Sequence, residues 1–420
     1  MPLRNLVGKE FRELTVSRSW WMLLILMGPL TGFSFLGSFR TFAEVSAGQG
    51  EALSPLIGVW APTFSACELA AVFLLPFVAI RLVGGDRESG ALKLELQQPL
   101  GTVFMIGAKA LVLLAGWMVA MLPPLSAILL WRSYGGSVYA PELGALVLGH
   151  ILNAGLTIAL AAAMASLAEH HSTAAILTLS VTVGTWVVNL LGWGQYTPAA
   201  MVADFQLGFV LLDASVIALA LITLGLGIAA IWMRLGVPAK RRIFESAALT
   251  VLIAAGIFAA SFLRPGWDLS EGRRNSFSEA DERALRQIHG LTVEVHLAPE
   301  DPRRADLENR ALRKLRRVMP DVRIRYIAAS STGLFEQASA GYGEIWYIVG
   351  GRREMSRATT AEAVLESIYA VAQMQPPAES DDVYRGHPLT AQPTGAALLF
   401  YGLWPTAFLA CGILIQRKLK

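Results

Sequence analysis

Eight runs of apolar residues, each near the roughly 20 that a helix needs to cross a bilayer, constrain this chain more than any other feature. They fall at about 20–39, 59–82, 104–131, 143–167, 173–192, 212–233, 246–263 and 395–415. In hydrocarbon the backbone must satisfy its own hydrogen bonds, so each run is predicted to be helical. Composition agrees: 54% of the 420 residues are hydrophobic and 16% charged, against about a quarter charged in a soluble domain. A net charge of +3 is too small to point to nucleic acid. Cys67 and Cys411 both stand in apolar runs and imply no disulfide framework. The first 18 residues are charged throughout, unlike the short basic flank of a cleavable leader.

Loop charge sets the orientation. Arg4, Lys9, Arg12 and Arg18 precede the first run, and Arg81, Arg87 and Lys93 follow the second. Arg234, Lys240, Arg241 and Arg242 follow the sixth, and Arg417, Lys418 and Lys420 the eighth. The positive-inside rule then expects both termini in the cytoplasm. Residues 264–394 remain on the opposite side with the composition of a soluble domain. Strand character appears at 291–299, 321–329 and 343–351, where β-branched and aromatic residues alternate. Helices are expected at 278–290, capped by Ser278, at 304–318, and at 359–373, capped by Thr360. The fold class is therefore an α-helical membrane protein of about eight transmembrane helices with an inserted extracytoplasmic α/β domain. Its parts are an interfacial amphipathic helix at 1–18, six spans at 19–243, a seventh at 244–263, the domain at 264–394, and an eighth span and tail at 395–420. Leu3, Leu6, Val7, Phe11 and Leu14 form the apolar side expected of the first helix.

Catalytic motifs are sparse. No G-x-x-x-x-G-K-[ST] phosphate loop is present, so ATP hydrolysis by that route is not expected here. The glycine pairs at 135–136 and 350–351 read as turns, and Glu169, His170 and His171 as a short solvated loop rather than a metal site. No nucleophile motif stands out, and neither a metal nor a catalytic residue is assigned. Within the spans, Glu68, His150 and Asn153 are the notable polar groups, with Asn189 near the end of the fifth run. An intramembrane acid is a functional candidate; Glu68 is either that, or an acid near the outer headgroups or hydrogen-bonded to a neighbouring helix. One convincing acid argues against a proton-driven carrier.

The stretch "GDRESGALKLELQQPLGTVFMIGAKAL" (84–110) lies between the second and third runs and packs charge, glycine and proline where lipid would tolerate none. With the amphipathic start "LVGKEFRELTVSRSWW", it resembles the permease subunit of ABC-2 type transporters. The matching residues are Asp86, Arg87, Glu88, Gly90, Leu92, Leu94, Pro99 and Lys109, with Ala91 where that family often has threonine. The resemblance implies that this segment is a coupling helix docking on an ATPase. It also implies two ATPase subunits carrying ATP and Mg, with no cofactor in this chain, and a second permease subunit, identical or different. The setting would be a bacterial inner membrane. Residues from Asp268 onward, with Arg273, Arg274, Ser276, Ser278, Val293, Val295 and Pro299, resemble the auxiliary extracytoplasmic domain of gliding-motility-type ABC systems. The function implied is ATP-driven transport, with the outer domain engaging substrate or a periplasmic partner. The alternative is a membrane-anchored binding or assembly protein whose captured partner is released by ATPase-driven motion; a membrane enzyme is a third reading. Substrate, direction and the outer domain's ligand are left open.

This topology makes a direct prediction. A cysteine placed at Ser331 should label with an impermeant maleimide in intact cells stripped of their outer wall, and one at Ser89 only after lysis. The reverse pattern would overturn the orientation.

Overall fold

Apolar runs fold into helices, as a lipid environment demands. The computed structural model describes every residue except 1, 49–52, 89, 92–100, 191–196, 264, 328–340, 378–383, 385 and 419–420. Among the described residues, seven helical stretches are long and apolar enough to cross a membrane: Arg18–Gly48, Leu56–Asp86, Thr102–Ser133, Ala140–Leu167, Leu212–Trp232, Ala239–Ala260 and Leu398–Arg417. The expected fifth span is also helical, over His171–Leu190, and its last residues lie outside the described ones. The chain is a helical membrane protein.

Helix α1 is Pro2–Val16 and α2 is Arg18–Gly48. A π turn at Leu56–Trp60 leads into α3, Ala61–Phe73, and then α4, Leu75–Glu88. Helices α5, Thr102–Ala120, and α6, Leu122–Ser133, share the next span. Both breaks have the same cause. Pro76, and the pair Pro123 and Pro124, stand just inside the second segment of each span, where a missing N–H is tolerated but the preceding helix cannot continue unbent. Next come α7, Ala140–Leu167, α8, His171–Leu190, and α9, Pro198–Gln206, which Thr197 caps by accepting a hydrogen bond from Ala200 N at 3.3 Å. Strand β1, Phe209–Leu211, pairs antiparallel with β2, Gly266–Asp268. Between them run α10, Leu212–Trp232, and α11, Ala239–Ala260. Glu245 pins their turn by accepting from Arg234 at 2.7 Å and Arg241 at 2.8 Å. Most of α11 is exposed, with Val251, Leu252 and Phe258 turned outward, as suits a lipid-facing helix.

A second compact unit, Glu271–Tyr384, follows. It contains α12, Glu279–Leu285, and β3, Thr292–Val295. Helices α13, Pro302–Leu307, and α14, Arg313–Val318, are joined by a π turn at Glu308–Leu312. Strands β4, Arg323–Tyr326, β5, Ile345–Val349, and β6, Arg352–Ser356, precede α15, Ala361–Ala372. The sheet order is β4-β3-β5-β6, parallel at β3–β4 and antiparallel elsewhere. Burial alternates along β3, with Val293 and Val295 in the core and Thr292 and Glu294 half-buried, the period-two pattern of a sheet covered on one face. Helix residues Leu285, Leu315, Val364 and Ile368 fill that core.

Three local outcomes differ from the sequence reading. The first helix ends at Leu285 rather than Gly290. The second starts at Pro302 because Asp301 caps it, accepting from Arg303 N at 2.9 Å. Strand β6 was not expected: its residues "RREMS" are exposed and carry no apolar alternation, which is how an edge strand is protected from pairing with other chains. Gly350 and Gly351, at φ 57° and 85°, turn β5 into β6, the positive-φ pair that a two-residue hairpin requires.

The last helix, α16, spans Trp404–Lys418 after a π turn at Leu398–Leu403. It belongs to the same unit as the other spans and docks on α2 where Gly28 and Gly32 leave the backbone bare. A β-carbon at Gly32 would lie 2.6 Å from that of Phe400, and Trp404 Nε1 donates to Leu24 O at 2.7 Å. Small residues four apart give helices this close approach in lipid.

Residues 271–384 expressed alone should fold as a soluble unit of mixed helix and strand. Ile368→Ala there should cost about 2–5 kcal/mol in urea unfolding. Hydrogen bonds from Arg303 hold the Asp301 carboxyl well below its usual range. Its contribution is therefore intact above the unfolded value of about 3.9 and lost as pH falls below it. Asp301→Asn should flatten that acid limb; a disordered-chain circular dichroism spectrum for the fragment would contradict the assignment.

Candidate functional site

Helix α1 buries one stripe, Leu6, Glu10 and Leu14, at helical spacing, and Glu10 is fully buried. An acid in that register needs a partner, and α5 supplies it. Lys109 Nζ, on a side chain 2% exposed, donates to Glu10 Oε2 at 2.6 Å, Asp86 Oδ2 at 2.5 Å and Leu82 O at 3.1 Å. An ammonium has three donors, and all are used. Lys9 sits at the rim, 3.4 Å from Asp86 Oδ1 and 3.1 Å from Glu13 Oε1. The two buried carboxylates outnumber the buried ammonium by one, and Lys9 offsets the excess. Burial outweighs Lys109 and holds the Glu10 carboxyl above its usual range; its Oε1 has no hydrogen-bond partner, with Lys9 Nζ 3.7 Å away. Glu10, Glu13 and Asp86 are close enough to hold a metal ion, but the two lysines already occupy the cation's role.

Among the residues expected on a docking segment, Asp86 and Lys109 are therefore turned inward and paired with each other, because each is too costly to bury alone. Their pairing joins the two spans on either side of the connector. Arg87 and Glu88 end α4, and their side chains, with Leu92, Leu94 and Pro99, lie outside the described residues. Gly90 is exposed at φ 77° with open space around it, a left-handed position that glycine adopts at no steric cost. Phe11, expected on the apolar side of α1, is 46% exposed because the buried face is rotated toward Glu10. Glu10 was missed in the sequence. The signal was there: an acid midway between Leu6 and Leu14, and a lysine inside an apolar run that must find a carboxylate.

A second feature lies within the spans. A cavity of about 610 Å³ opens between α3, α7, α8 and α10, lined mostly by apolar side chains. It brings together Glu68 and Asn153, two of the polar groups singled out from the sequence. Glu68 Oε1 accepts a hydrogen bond from the Gln206 amide of α9, so the neighbouring-helix partner expected for it exists. Asn153 is 8% exposed and Thr157, one turn on, 5%; neither has a hydrogen-bond partner among the described residues. His150 does not line the cavity. Its ring packs on Phe64 with centroids 5.4 Å apart, and both nitrogens are unpartnered. Glu169 and His170 are exposed in the turn before α8, and the His171 ring packs against Gly84. The side chain of Asn189 lies outside the described residues.

The chain matches no protein-family model and no curated protein.

Removing the lysine alone should expose the weakness of the ionic trio. Lys109→Met should destabilise the detergent-solubilised protein by about 3–5 kcal/mol, the cost of stranding a buried charge. Replacing all three groups, as Glu10→Gln, Asp86→Asn and Lys109→Met, should recover most of that loss in thermal melting. Equal destabilisation of the single and triple variants would contradict the pairing.

Proposed function

We propose that the chain is the membrane-spanning subunit of an ABC-2 type, ATP-driven transporter of a bacterial inner membrane. It works paired with a second permease subunit and with ATP hydrolysed on two separate subunits. The observation that supports this most is the trio joining Glu10, Asp86 and Lys109. Asp86 ends one span and Lys109 lies two turns inside the next, so the connector is clamped near both its ends. Both clamped ends are also tied to α1. A soluble partner pushing on the connector would move two spans and α1 together rather than bending one loop. A transporter driven from outside the membrane needs that stiffness, and a simple anchor does not.

In this reading both termini and the connector face the cytoplasm. The unit Glu271–Tyr384 stands on the opposite side, where it engages substrate or a periplasmic partner. The chain itself performs no catalysis and holds no cofactor.

The test compares docking with folding. The double reversal Arg87→Glu and Glu88→Arg should cut co-purification of the ATPase subunits that this reading requires, since like charges meeting across an interface cost several kcal/mol. In this reading the two charges face water when no ATPase is docked, so the melting temperature of the permease alone should stay unchanged, surface pairs being worth only about 0–1 kcal/mol. Gly90→Trp should also cut co-purification, by filling the open space around Gly90 that a docked partner would approach. Unchanged co-purification would sink the docking assignment. ATPase activity in proteoliposomes that responds to a periplasmic protein and to no solute would favour the capture-and-release alternative.

A further inference from the structure

The intramembrane cavity has a direction. Phe64 packs on His150, and a β-carbon at Gly84 would lie 3.7 Å from that of Ala165. The α3–α4 span and α7 therefore run side by side in the same sense, with Glu68 near the level of Asn153. From Asn153 to Leu167 the wall extends about 21 Å at 1.5 Å per residue. Its polar groups gather at one end, with Glu68, Asn153 and Thr157, while Met164 and Leu167 line the other. Leu167 is 41% exposed, so that end opens sideways on the surface of membrane-spanning helices, where lipid lies.

We propose that this cavity binds a single elongated amphiphile carrying a primary ammonium at its polar end. Asn153 carries the inference. The residue is 8% exposed, lines the cavity and has no hydrogen-bond partner among the described residues, so its amide is left for an occupant of the cavity to serve, with no bulk water inside a membrane to stand in. A purely hydrocarbon occupant would leave that amide and the Glu68 carboxyl facing methylenes. An anionic head would meet the acid. A primary ammonium brings three donors to Glu68, to the Asn153 carbonyl and to the Thr157 hydroxyl, while the apolar end takes the tail. Calling this amphiphile the transported cargo rests on the transporter reading; its binding does not.

The experiment therefore uses the full chain, purified without any ATPase, in phosphatidylcholine nanodiscs. The probes are a long-chain primary alkylamine, the alcohol of equal chain length and the matching alkyl sulfate, with retention measured by native mass spectrometry. The amine should bind at least tenfold more tightly than the alcohol, and the sulfate most weakly. Glu68→Gln should bring the amine down to the alcohol's level, and Thr157→Val should weaken the amine while sparing the alcohol. If Glu68→Gln fails to fold, Thr157→Val alone decides. Equal binding of amine and alcohol would overturn the proposal in favour of a lipid-tail cleft. No binding of any probe, with the chain dimeric through α3 and α7, would overturn it in favour of a subunit contact. Either failure leaves the ATPase co-purification test untouched, so the two readings fall separately.

Discussion

A lysine ammonium taken out of water must be met on every side, and the buried end of the bundle is organised around meeting one. Lys109 reaches carboxylates from two other helices and a carbonyl from one of them, so α1, α4 and α5 cannot drift apart without stranding a charge. In lipid the hydrophobic effect does little to hold helices to one another. A multi-centred ionic contact of fixed geometry therefore specifies how an interfacial helix meets the ends of two spans. Breaking one partner is far more damaging than never having had the set.

The same logic explains how the rest of the membrane unit is held. Where no charge is available, packing is by shape. Phe39 and Phe42 stand edge-on to Trp131, with ring centroids 5.4 and 5.3 Å apart, and Trp131 Nε1 donates to Ser137 O at 2.8 Å. Gly28 and Gly32 admit Phe400 and Trp404, which draws the last helix into the bundle despite its distance in sequence. The cavity is the exception. There α3, α7, α8 and α10 leave space that nothing among the described residues fills, with the Asn153 amide unserved at its wall.

Much of this was legible in the sequence, and the limits have physical causes. Apolar run length located the spans to within a few residues, because hydrocarbon imposes a length and allows few alternatives. The large overruns are α2, which continues to Gly48, and α11, which starts at Ala239; both pass the apolar run because a helix can extend beyond the bilayer into water. Glu68 and Asn153 were recognisable as unusual, yet only the packing of four helices could show that they share a cavity and that His150 does not. Asp86 and Lys109 were expected on a docking segment through the family resemblance; the pairing of Lys109 with Glu10 spans 99 residues, and no local pattern carries a contact so distant. Strand β6 escaped notice because exposed edge residues lack the alternation that betrays a strand.

Hydrogen–deuterium exchange on α1 tests the central claim most directly. If the ionic trio is what fastens α1 to the bundle, Lys109→Met should release the amides of residues 6–14 to fast exchange while those of α5 stay protected. If α1 keeps its protection in that variant, its apolar contacts alone hold it, and the trio is not the clamp on which this account depends.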